Sequence, residues 1–143
     1  MGEASTPKAT IVVPVYNSAS SIQRCLDSLL AQSEPSIQVV CVNDGSADDS
    51  LRVLRQIAQN DDRVLVIDQK NAGVSCARNA GIDAAEGDVV FFVDADDYID
   101  AQTVERVIQA MGSSDAEVAV FGGACEPADA APKRVQQLMS PKA

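Results

Sequence analysis

The sequence contains no histidine and no tryptophan, and its aromatic residues are limited to two tyrosines and three phenylalanines. Without histidine there is no Ser-His-Asp triad, no histidine-ligated metal and no imidazole general base. Any chemistry that this chain performs must therefore use carboxylates, a bound metal ion or a partner segment.

Several common motifs are also absent. The dinucleotide fingerprint GxGxxG is missing after the first apolar run, where the sequence reads PVYNSAS, and there is no GxxxxGK[ST] phosphate loop. No apolar run approaches the roughly 20 residues that are needed to cross a bilayer. The N-terminus lacks the basic start and apolar core of a signal peptide. We therefore expect neither of these two nucleotide-binding loops and no transmembrane segment.

The four cysteines have no CxxC spacing and lie among apolar or small residues. This pattern favours free, buried thiols in a reducing compartment over a disulfide framework or a zinc site. We therefore expect a cytoplasmic protein in which all four cysteines pack in or near the core, namely Cys25, Cys41, Cys76 and Cys125.

Positive charge is scarce, because 11 lysines and arginines stand against 21 acidic residues and the net charge is −10. Nucleic acids and anionic membrane surfaces attract basic patches, so neither is expected as a partner. A phosphate-bearing ligand is compatible with this charge if a cation lies between the ligand and the protein.

Apolar runs alternate regularly with amphipathic segments along the chain. Strands are predicted at residues 9–15, 37–42, 64–67, 88–93 and 117–122, and helices at about 22–30, 48–59, 74–85 and 101–111. Strict alternation with short links predicts an α/β fold with a doubly wound, mostly parallel sheet of Rossmann-like topology and helices on both faces. The continuous apolar character of the first run predicts a strand that is covered on both faces, and the apolar run at residues 89–93 predicts a buried strand.

The predicted domain does not include the two ends of the chain. Residues 1–8 are expected to form a flexible leader and residues 9–125 the folded domain. Residues 126–143 are rich in alanine and proline, and they are expected to be disordered or partly helical.

Polar residues follow each of the first four predicted strands. Because the carboxyl ends of parallel strands meet at one edge of a sheet, and ligands bind beyond that edge, these residues are expected to form one cluster. Its members are Tyr16, Asn17, Asp44, Asn71, Gly73, Asp94, Asp96 and Asp97.

The stretch FFVDADDYID places four carboxylates directly after an apolar run. Carboxylates at this spacing repel one another, so the pattern indicates a cation or several hydrogen-bond donors between them. Mg²⁺ and Mn²⁺ prefer carboxylate, phosphate and water oxygens, and Asp94 and Asp96 are the predicted metal ligands in a seat for a diphosphate. The roles of Asp97 and Asp100 stay open, because acids ahead of a helix are also favoured by the helix dipole alone.

A nucleotide matches the polarity of the remaining cluster. The N–H group of a uracil suits the carboxylate of Asp44, the ring of Tyr16 can stack on the base, and ribose hydroxyls suit Asp94. Asp44 has an alternative role in ordinary turn chemistry, since Asp-Gly pairs mark turns. Tyr16 has an alternative role as a packing residue at the rim.

Arg78 lies about one turn into the third predicted helix. Together with the N-terminal amides of that helix, it can add positive potential beside a diphosphate. Pairing with Glu86 or Asp88 is an equally good interpretation of this arginine, and the sequence leaves the choice open.

Two other enzyme or signalling classes share this fold class but fit the sequence poorly. A response-regulator receiver needs an acidic pair after the first strand and a lysine after the last, where this chain has Tyr-Asn and Gly-Gly. A sugar-nucleotide-forming nucleotidyltransferase needs a glycine-rich, basic loop after the first strand, and Asn17-Ser18-Ala19-Ser20 contains no basic residue.

Three stretches resemble the N-terminal half of the family 2 glycosyltransferases, which are inverting enzymes with the GT-A fold. They are IVVPVYNSASSIQRCLDSLLAQS, VVCVNDGSADDS and NAGVSCARNAGIDAAEGDVVFFVDADD. The resemblance covers about Thr10 to Asp100, and its extension to Gly123 stays open. The resemblance implies a nucleotide site and a metal site with Asp94-Ala95-Asp96 as the DxD motif. The implied nucleotide-binding residues are Pro14, Val15, Tyr16, Asn17, Asp44, Asn71, Gly73, Arg78, Asp94 and Ala95, and the implied metal ligands are Asp96 and Asp94.

The resemblance also implies an activity. We expect a donor domain that binds a nucleoside-diphosphate sugar, with a UDP-sugar favoured, through Mn²⁺ or Mg²⁺, for inverting transfer to a hydroxyl of a saccharide, a lipid-linked saccharide or another acceptor. The family places its acidic general base after the DxD region, and neither Glu126 nor Asp129 has a recognisable context for that role. We therefore expect the acceptor site, the base and any peripheral membrane contact to lie beyond this chain. A non-catalytic sugar-nucleotide-binding module or a truncated fragment is the alternative, and an oligomer stays possible.

Overall fold

The computed structural model describes residues 5–119. In this part of the chain, four strands and four helices alternate. They are β1 (Ala9–Val15), α1 (Ile22–Leu30), β2 (Ile37–Asp44), α2 (Ser50–Asn60), β3 (Val64–Gln69), α3 (Val74–Ala84), β4 (Val89–Phe92) and α4 (Thr103–Gly112). The first four residues of the predicted leader and the whole predicted tail lie outside the described residues.

The strands form one parallel sheet with the order β3-β2-β1-β4. β1 lies in the middle, where Ile11 pairs with Val39 of β2 on one side and with Phe91 of β4 on the other. The chain winds outward from β1 through β2 to β3 and then crosses back to place β4 on the other side of β1. The predicted α/β fold with a doubly wound, parallel sheet is therefore confirmed.

Helices cover both faces of the sheet, as predicted. On one face, the alternate side chains of β1 from Ala9 to Val15 pack against α1, α2 and α4 in a continuous apolar core. On the other face, Val40 and Val42 of β2 pack against Ala77 of α3 in a smaller core. This two-sided burial explains why β1 reads as an uninterrupted apolar run rather than as an alternating one.

α3 lies close to the sheet because its inward face carries small residues. Gly81 sits directly on Val12 of β1, and a Cβ atom at this position would collide with both methyl groups of that valine. This close packing brings the first turn of α3 close to the ends of β1 and β2.

The prediction that the fourth strand is buried holds for one of its two sides only. Phe91 is buried, whereas Val90 and Phe92 are 36% and 44% exposed. α3 lies over β1 and β2, and β4 is at the edge of the described sheet, so the side of β4 that faces away from the main core stays uncovered by the described helices.

Several element bounds also differ from the prediction. β2 continues through Asn43 and Asp44, which were predicted to lie in a turn, and β3 continues to Gln69. Of the predicted fifth strand, residues 117–119 adopt no strand conformation, and residues 120–122 lie outside the described residues. Lys8, the last residue of the predicted leader, already bonds through its backbone to Ser36 and Val89.

Candidate functional site

An open cleft of about 690 Å³ lies at the carboxyl edge of the sheet. It opens where β1 and β4 end side by side, which is the point at which the winding direction of the sheet reverses. In open α/β sheets, ligands bind at this switch point. The residues that line the cleft are Pro14, Val15, Tyr16, Asn17, Ser18, Ser20, Ser21, Asp44, Asn71, Gly73, Val74, Ala77, Asp94, Ala95 and Asp96.

The cleft gathers the residues that the sequence places at the strand ends. Every predicted nucleotide-binding or metal-binding residue lines it except Arg78. Arg78 instead extends towards the rim, where its Nη2 lies 3.5 Å from Oδ1 of Asp94 in a half-exposed ion pair. The structure therefore pairs Arg78 with Asp94, and with neither of the two acids that the sequence suggested, Glu86 and Asp88. Its Nε atom is buried and has no hydrogen-bond partner among the described residues.

The two residues that follow β1 have different surroundings. Tyr16 lines the cleft and is 55% exposed. Asn17 has a left-handed φ of 48°, and its side chain accepts the backbone N–H of Ala47 at 2.8 Å. Its own N–H donates to Oγ of Ser46 at 2.9 Å. Asn17 therefore joins the loop after β1 to the loop after β2.

The carboxylate of Asp44 is only 4% exposed and is surrounded by donors. It accepts hydrogen bonds from Nε2 of Gln69 at 3.0 Å and from the backbone N–H groups of Ala72 at 2.8 Å and Gly73 at 3.0 Å. Burial raises the pKa of Asp44, but these three bonds outweigh burial and hold the pKa below its ordinary value. Asp44 is therefore a stable carboxylate anion that ties the end of β2 to the turn before α3.

Two glycines allow this turn to approach β2. Gly73 has a φ of 96°, in the left-handed region that favours glycine, and this conformation points its N–H at Asp44. A Cβ atom on Gly45 would lie 2.6 Å from the backbone nitrogen of Asn71. Asn71 also donates from Nδ2 to the backbone oxygen of Asp44 at 3.1 Å. The sequence alone did not indicate this close contact.

The acidic loop, residues 94–97, follows β4 on the opposite side of the cleft. Carboxylate oxygens of Asp94, Asp96 and Asp97 all lie within 4.8 Å of one another, and the three residues are exposed. Reduced hydration raises the pKa of Asp97, and the charges of Asp96 and Asp94 raise it further. A site with clustered, exposed carboxylates matches the ligand preference of Mg²⁺ or Mn²⁺.

Asp100 does not belong to this cluster. Its Oδ1 accepts the backbone N–H of Gln102 at 2.9 Å, just ahead of α4. Of the two acids whose role the sequence left open, Asp97 thus joins the acidic loop and Asp100 bonds to the backbone at the start of a helix.

The residues directly ahead of α1 also contribute to the cleft. Ser20 and Ser21 line it, although the sequence did not indicate either of them as a site residue. Ser21 makes no side-chain capping bond, and its hydroxyl donates to the backbone oxygen of Ala95 at 3.0 Å. The guanidinium of Arg24 lies 4.4 Å from the centre of the Tyr98 ring, next to the acidic loop.

The expectation that all four cysteines lie in or near the core was wrong for Cys76. Cys25 and Cys41 are buried, and burial raises the pKa of the Cys25 thiol to about 12, with further contributions from Asp97, Asp96 and Asp94. Cys76 is exposed, because in this turn of α3 it is Ala77 that faces the sheet. Cys125 lies outside the described residues.

No helix in the described part of the chain has the length and apolar character needed to cross a membrane.

Comparison with known proteins identifies relatives of this chain. The sequence profile of the family described as "Glycosyl transferase family 2" matches residues 10–140. The chain is 42% identical over 113 residues to the glycosyltransferase GlyA of Streptococcus pneumoniae serotype 4, an alignment that covers 79% of this chain and 16% of GlyA.

Solved structures of glycosyltransferases have the same fold. Residues 1–349 of TarS from S. aureus in complex with UDP superpose with a TM-score of 0.78 and 29% identity, covering 88% of this chain and 38% of that one. The mannosyltransferase PcManGT from Pyrobaculum calidifontis, in complex with GDP-Man and Mn²⁺, superposes with a TM-score of 0.65 and 27% identity, covering 73% and 31%. The chain thus spans less than two fifths of each of these relatives.

Proposed function

Because the chain belongs to glycosyl transferase family 2, we propose that its cleft is the donor site of a glycosyltransferase that binds a nucleoside-diphosphate sugar, a UDP-sugar by preference, through a divalent metal ion. One observation carries the proposal. The buried anion Asp44 and the exposed acidic loop lie along one cleft, at the switch point of the sheet. Asp44 suits the neutral base of a nucleotide, which carries an N–H donor. The acidic loop suits the anionic diphosphate only when a cation lies between them.

The nucleoside is proposed to occupy the side of the cleft near β1 and β2. A carboxylate has about four acceptor positions, and three of those on Asp44 are taken by Gln69, Ala72 and Gly73. One position is left for the N–H group of a uracil. The exposed ring of Tyr16 can stack on the base. The complex of TarS with UDP supports a uridine nucleotide.

The diphosphate is proposed to lie against the acidic loop, with Mn²⁺ or Mg²⁺ held by Asp96 and Asp94. Asp97 is close enough to act as a third carboxylate ligand. When bound there, the ion would supply positive charge to the departing nucleoside diphosphate. The complex of PcManGT with GDP-Man and Mn²⁺ supports this assignment.

The remaining side chains of this rim suit the sugar-nucleotide as well. Asp94 can accept a ribose hydroxyl with one oxygen while its other oxygen pairs with Arg78. The half-exposed guanidinium of Arg78 adds positive charge at the rim, which suits the anionic nucleotide. In the complete reaction we propose inverting transfer, in which an acceptor hydroxyl attacks the anomeric carbon and a carboxylate base outside the described residues takes its proton. The buried, free thiols support a cytoplasmic location.

A sugar-nucleotide-binding module without turnover of its own is the second candidate. The observation that favours it is the short share of each relative that the chain covers. Both candidates need the same donor site, so binding experiments test the site and turnover separates the two.

The experiment is a calorimetric titration of the chain with UDP and GDP, each with and without Mn²⁺, followed by a donor-hydrolysis and transfer assay. We expect Mn²⁺-dependent binding of UDP, and a loss of at least about tenfold in affinity for Asp96→Asn, the range typical of a lost metal ligand or its partner. Asp62→Asn, at an exposed acid outside the cleft, is the matched control.

Turnover that disappears in Asp96→Asn supports the enzyme, and metal-dependent binding without turnover supports the module. If no nucleoside diphosphate binds with or without Mn²⁺, the donor-site proposal is wrong.

A further inference from the structure

A polar stripe runs along the side of α1 that faces the chain segment after β4. Its positions are spaced by four, three and four residues, which places them on one face of a helix and its immediate extensions. The members of this stripe, named the α1 seam, are Ser21, Cys25, Ser28 and Gln32.

The first two members of the seam, Ser21 and Cys25, bond to the backbone of the acidic loop. Oγ of Ser21 donates to the backbone oxygen of Ala95 at 3.0 Å, and the thiol of Cys25 donates to the backbone oxygen of Asp94 at 3.6 Å. Two successive peptide carbonyls of the DxD stretch are thus held against α1. The carboxylate groups of Asp94 and Asp96 are left exposed.

The last two members of the seam bond to the backbone between the acidic loop and the first turn of α4. Oγ of Ser28 accepts the N–H of Ile99 at 3.2 Å. Gln32, which is only 6% exposed, donates from Nε2 to the backbone oxygen of Asp100 at 2.7 Å and accepts the N–H of Val104 with Oε1 at 3.0 Å. Each member of the seam therefore bonds to backbone of this one segment.

We propose that the α1 seam positions the acidic loop for metal and diphosphate binding. This inference rests on the donor-site function proposed above and assigns four positioning residues to it. Three carboxylates within 4.8 Å of one another repel, so the loop that carries them needs an opposing force to stay in place before a cation arrives. Backbone bonds supply that force without using the carboxylate oxygens that a metal needs.

Because these side chains hold the backbone of the acidic loop, the loss of one of them can have a large effect on the affinity for a metal ion. Metal ligands act well only when their supporting partners hold them within about 0.5 Å of the required geometry. Loss of such a supporting partner commonly weakens metal binding by about 10-fold or more. The carbonyl of Asp94 also accepts the backbone N–H of Asp97 at 3.0 Å, a bond within the acidic loop, so the thiol of Cys25 is its bond to α1.

The first test compares Gln32→Met with Gln23→Met. Both remove an amide from the α1 region, but Gln23 is exposed and its amide bonds only to Asp27 on the same helix. With UDP present at saturation, we expect Gln32→Met to bind Mn²⁺ about 10-fold more weakly than the wild type. The control variant and the wild type should bind Mn²⁺ alike. Binding of UMP without metal should be the same in all three proteins, which a general loss of structure would not allow.

The second test uses Cys25, which is buried and whose thiol donates a hydrogen bond to the backbone oxygen of Asp94. Cys25→Ser keeps a donor for the carbonyl of Asp94, whereas Cys25→Ala removes it. We expect the affinity for Mn²⁺ to stay within about twofold of the wild type in Cys25→Ser and to fall about fivefold in Cys25→Ala. If Cys25 served only for packing, Cys25→Ala would be tolerated better than Cys25→Ser, because burial of a hydroxyl group costs more free energy than burial of a methyl group. If circular dichroism shows that Gln32→Met is unfolded, the cysteine pair decides.

The outcomes separate this inference from the function on which it rests. If the wild-type chain binds neither UDP nor Mn²⁺, the donor-site function fails, and the seam fails with it as a positioning element. If the wild type binds both, and Gln32→Met and Cys25→Ala match their comparison variants, only the seam is overturned.

Discussion

The carboxylate of Asp44 accepts the backbone N–H of Gly73 at 3.0 Å, and this bond links the last residue of β2 to the residue that precedes α3. The position of Asp44 at a strand end first indicated a ligand contact. In the structure, its oxygens also hold the turn that forms one side of the cleft. The proposed binding role and the structural role of Asp44 therefore meet in one side chain.

Replacement of Asp44 is expected to reduce both stability and binding. Asp44→Ala leaves the donors of Gln69, Ala72 and Gly73 without their acceptor, so the free energy of unfolding should fall by about 2–3 kcal/mol, the cost of losing bonds to a buried charge. Urea unfolding followed by circular dichroism measures this loss. Asp62→Ala, at an exposed acid, should change stability by less than about 0.5 kcal/mol. Equal effects of the two substitutions would contradict the role given to Asp44.

The same carboxylate predicts a pH dependence. Its pKa in the folded chain lies below the ordinary value, so its stabilising bonds are complete above the unfolded pKa of about 4 and are lost as the pH falls through the lower folded value. Between pH 7 and about pH 3, the wild type should therefore lose more unfolding free energy than Asp44→Asn, which has no such charge. Asp48 and Asp61, whose pKa values are also lowered, are present in both proteins and cancel in the comparison. Parallel stability curves for the two proteins would refute this prediction.

Gly81→Ala is expected to destabilise the chain, although alanine is the better helix former. The new methyl group would collide with Val12 of β1, and overpacking of this kind costs about 1–3 kcal/mol. In Gly112→Ala, in the last turn of α4, the new methyl group would meet no atom of residues 5–119 within 4 Å, and the change should be neutral or slightly stabilising. Thermal unfolding of the two variants checks the difference. A gain in stability for Gly81→Ala would show that α3 does not lie this close to the sheet.

Arg78→Met is expected to separate binding from stability. The ion pair with Asp94 is half-exposed, and such pairs contribute about 0–1 kcal/mol, so the unfolding free energy should change little. UDP affinity in the presence of Mn²⁺ should fall about tenfold, because a charge-assisted donor at the rim is lost. Arg55→Met, at an exposed arginine of α2 outside the cleft lining, should leave UDP affinity unchanged. A large stability loss without a change in affinity would assign Arg78 a structural role only.

Asp97→Asn is expected to have opposite effects with and without metal. The pKa of Asp97 is raised, so its ionised form is disfavoured in the folded chain at pH 7, and removal of the charge should raise the melting temperature by on the order of 2 °C. The increase in melting temperature that Mn²⁺ causes in the wild type should become smaller, because one carboxylate of the cluster is lost. Asp115→Asn, at an exposed acid outside the cleft lining, should show neither effect. An unchanged metal response would remove Asp97 from the proposed set of ligands.

The relation between sequence and site differs from residue to residue. Asp94 and Asp96 were identified from a local pattern, since an apolar strand that runs directly into an acidic cluster is visible within ten letters. Asn17 was identified from its position after a strand, yet its side chain bonds to the backbone of Ala47, 30 residues away. Position along the chain places a residue at the cleft, but it does not say in which direction the side chain points.

Alternation of apolar and polar residues was enough to determine the order of strands and helices, the parallel sheet and the edge where the polar residues collect, because these features repeat over short stretches of chain. The exposed side of β4, the exposure of Cys76, the partners of Asp44 and the contacts of the α1 seam were decided only by the folded structure. Each depends on which groups from distant parts of the chain come within hydrogen-bonding or packing distance, and no local pattern encodes such a distance.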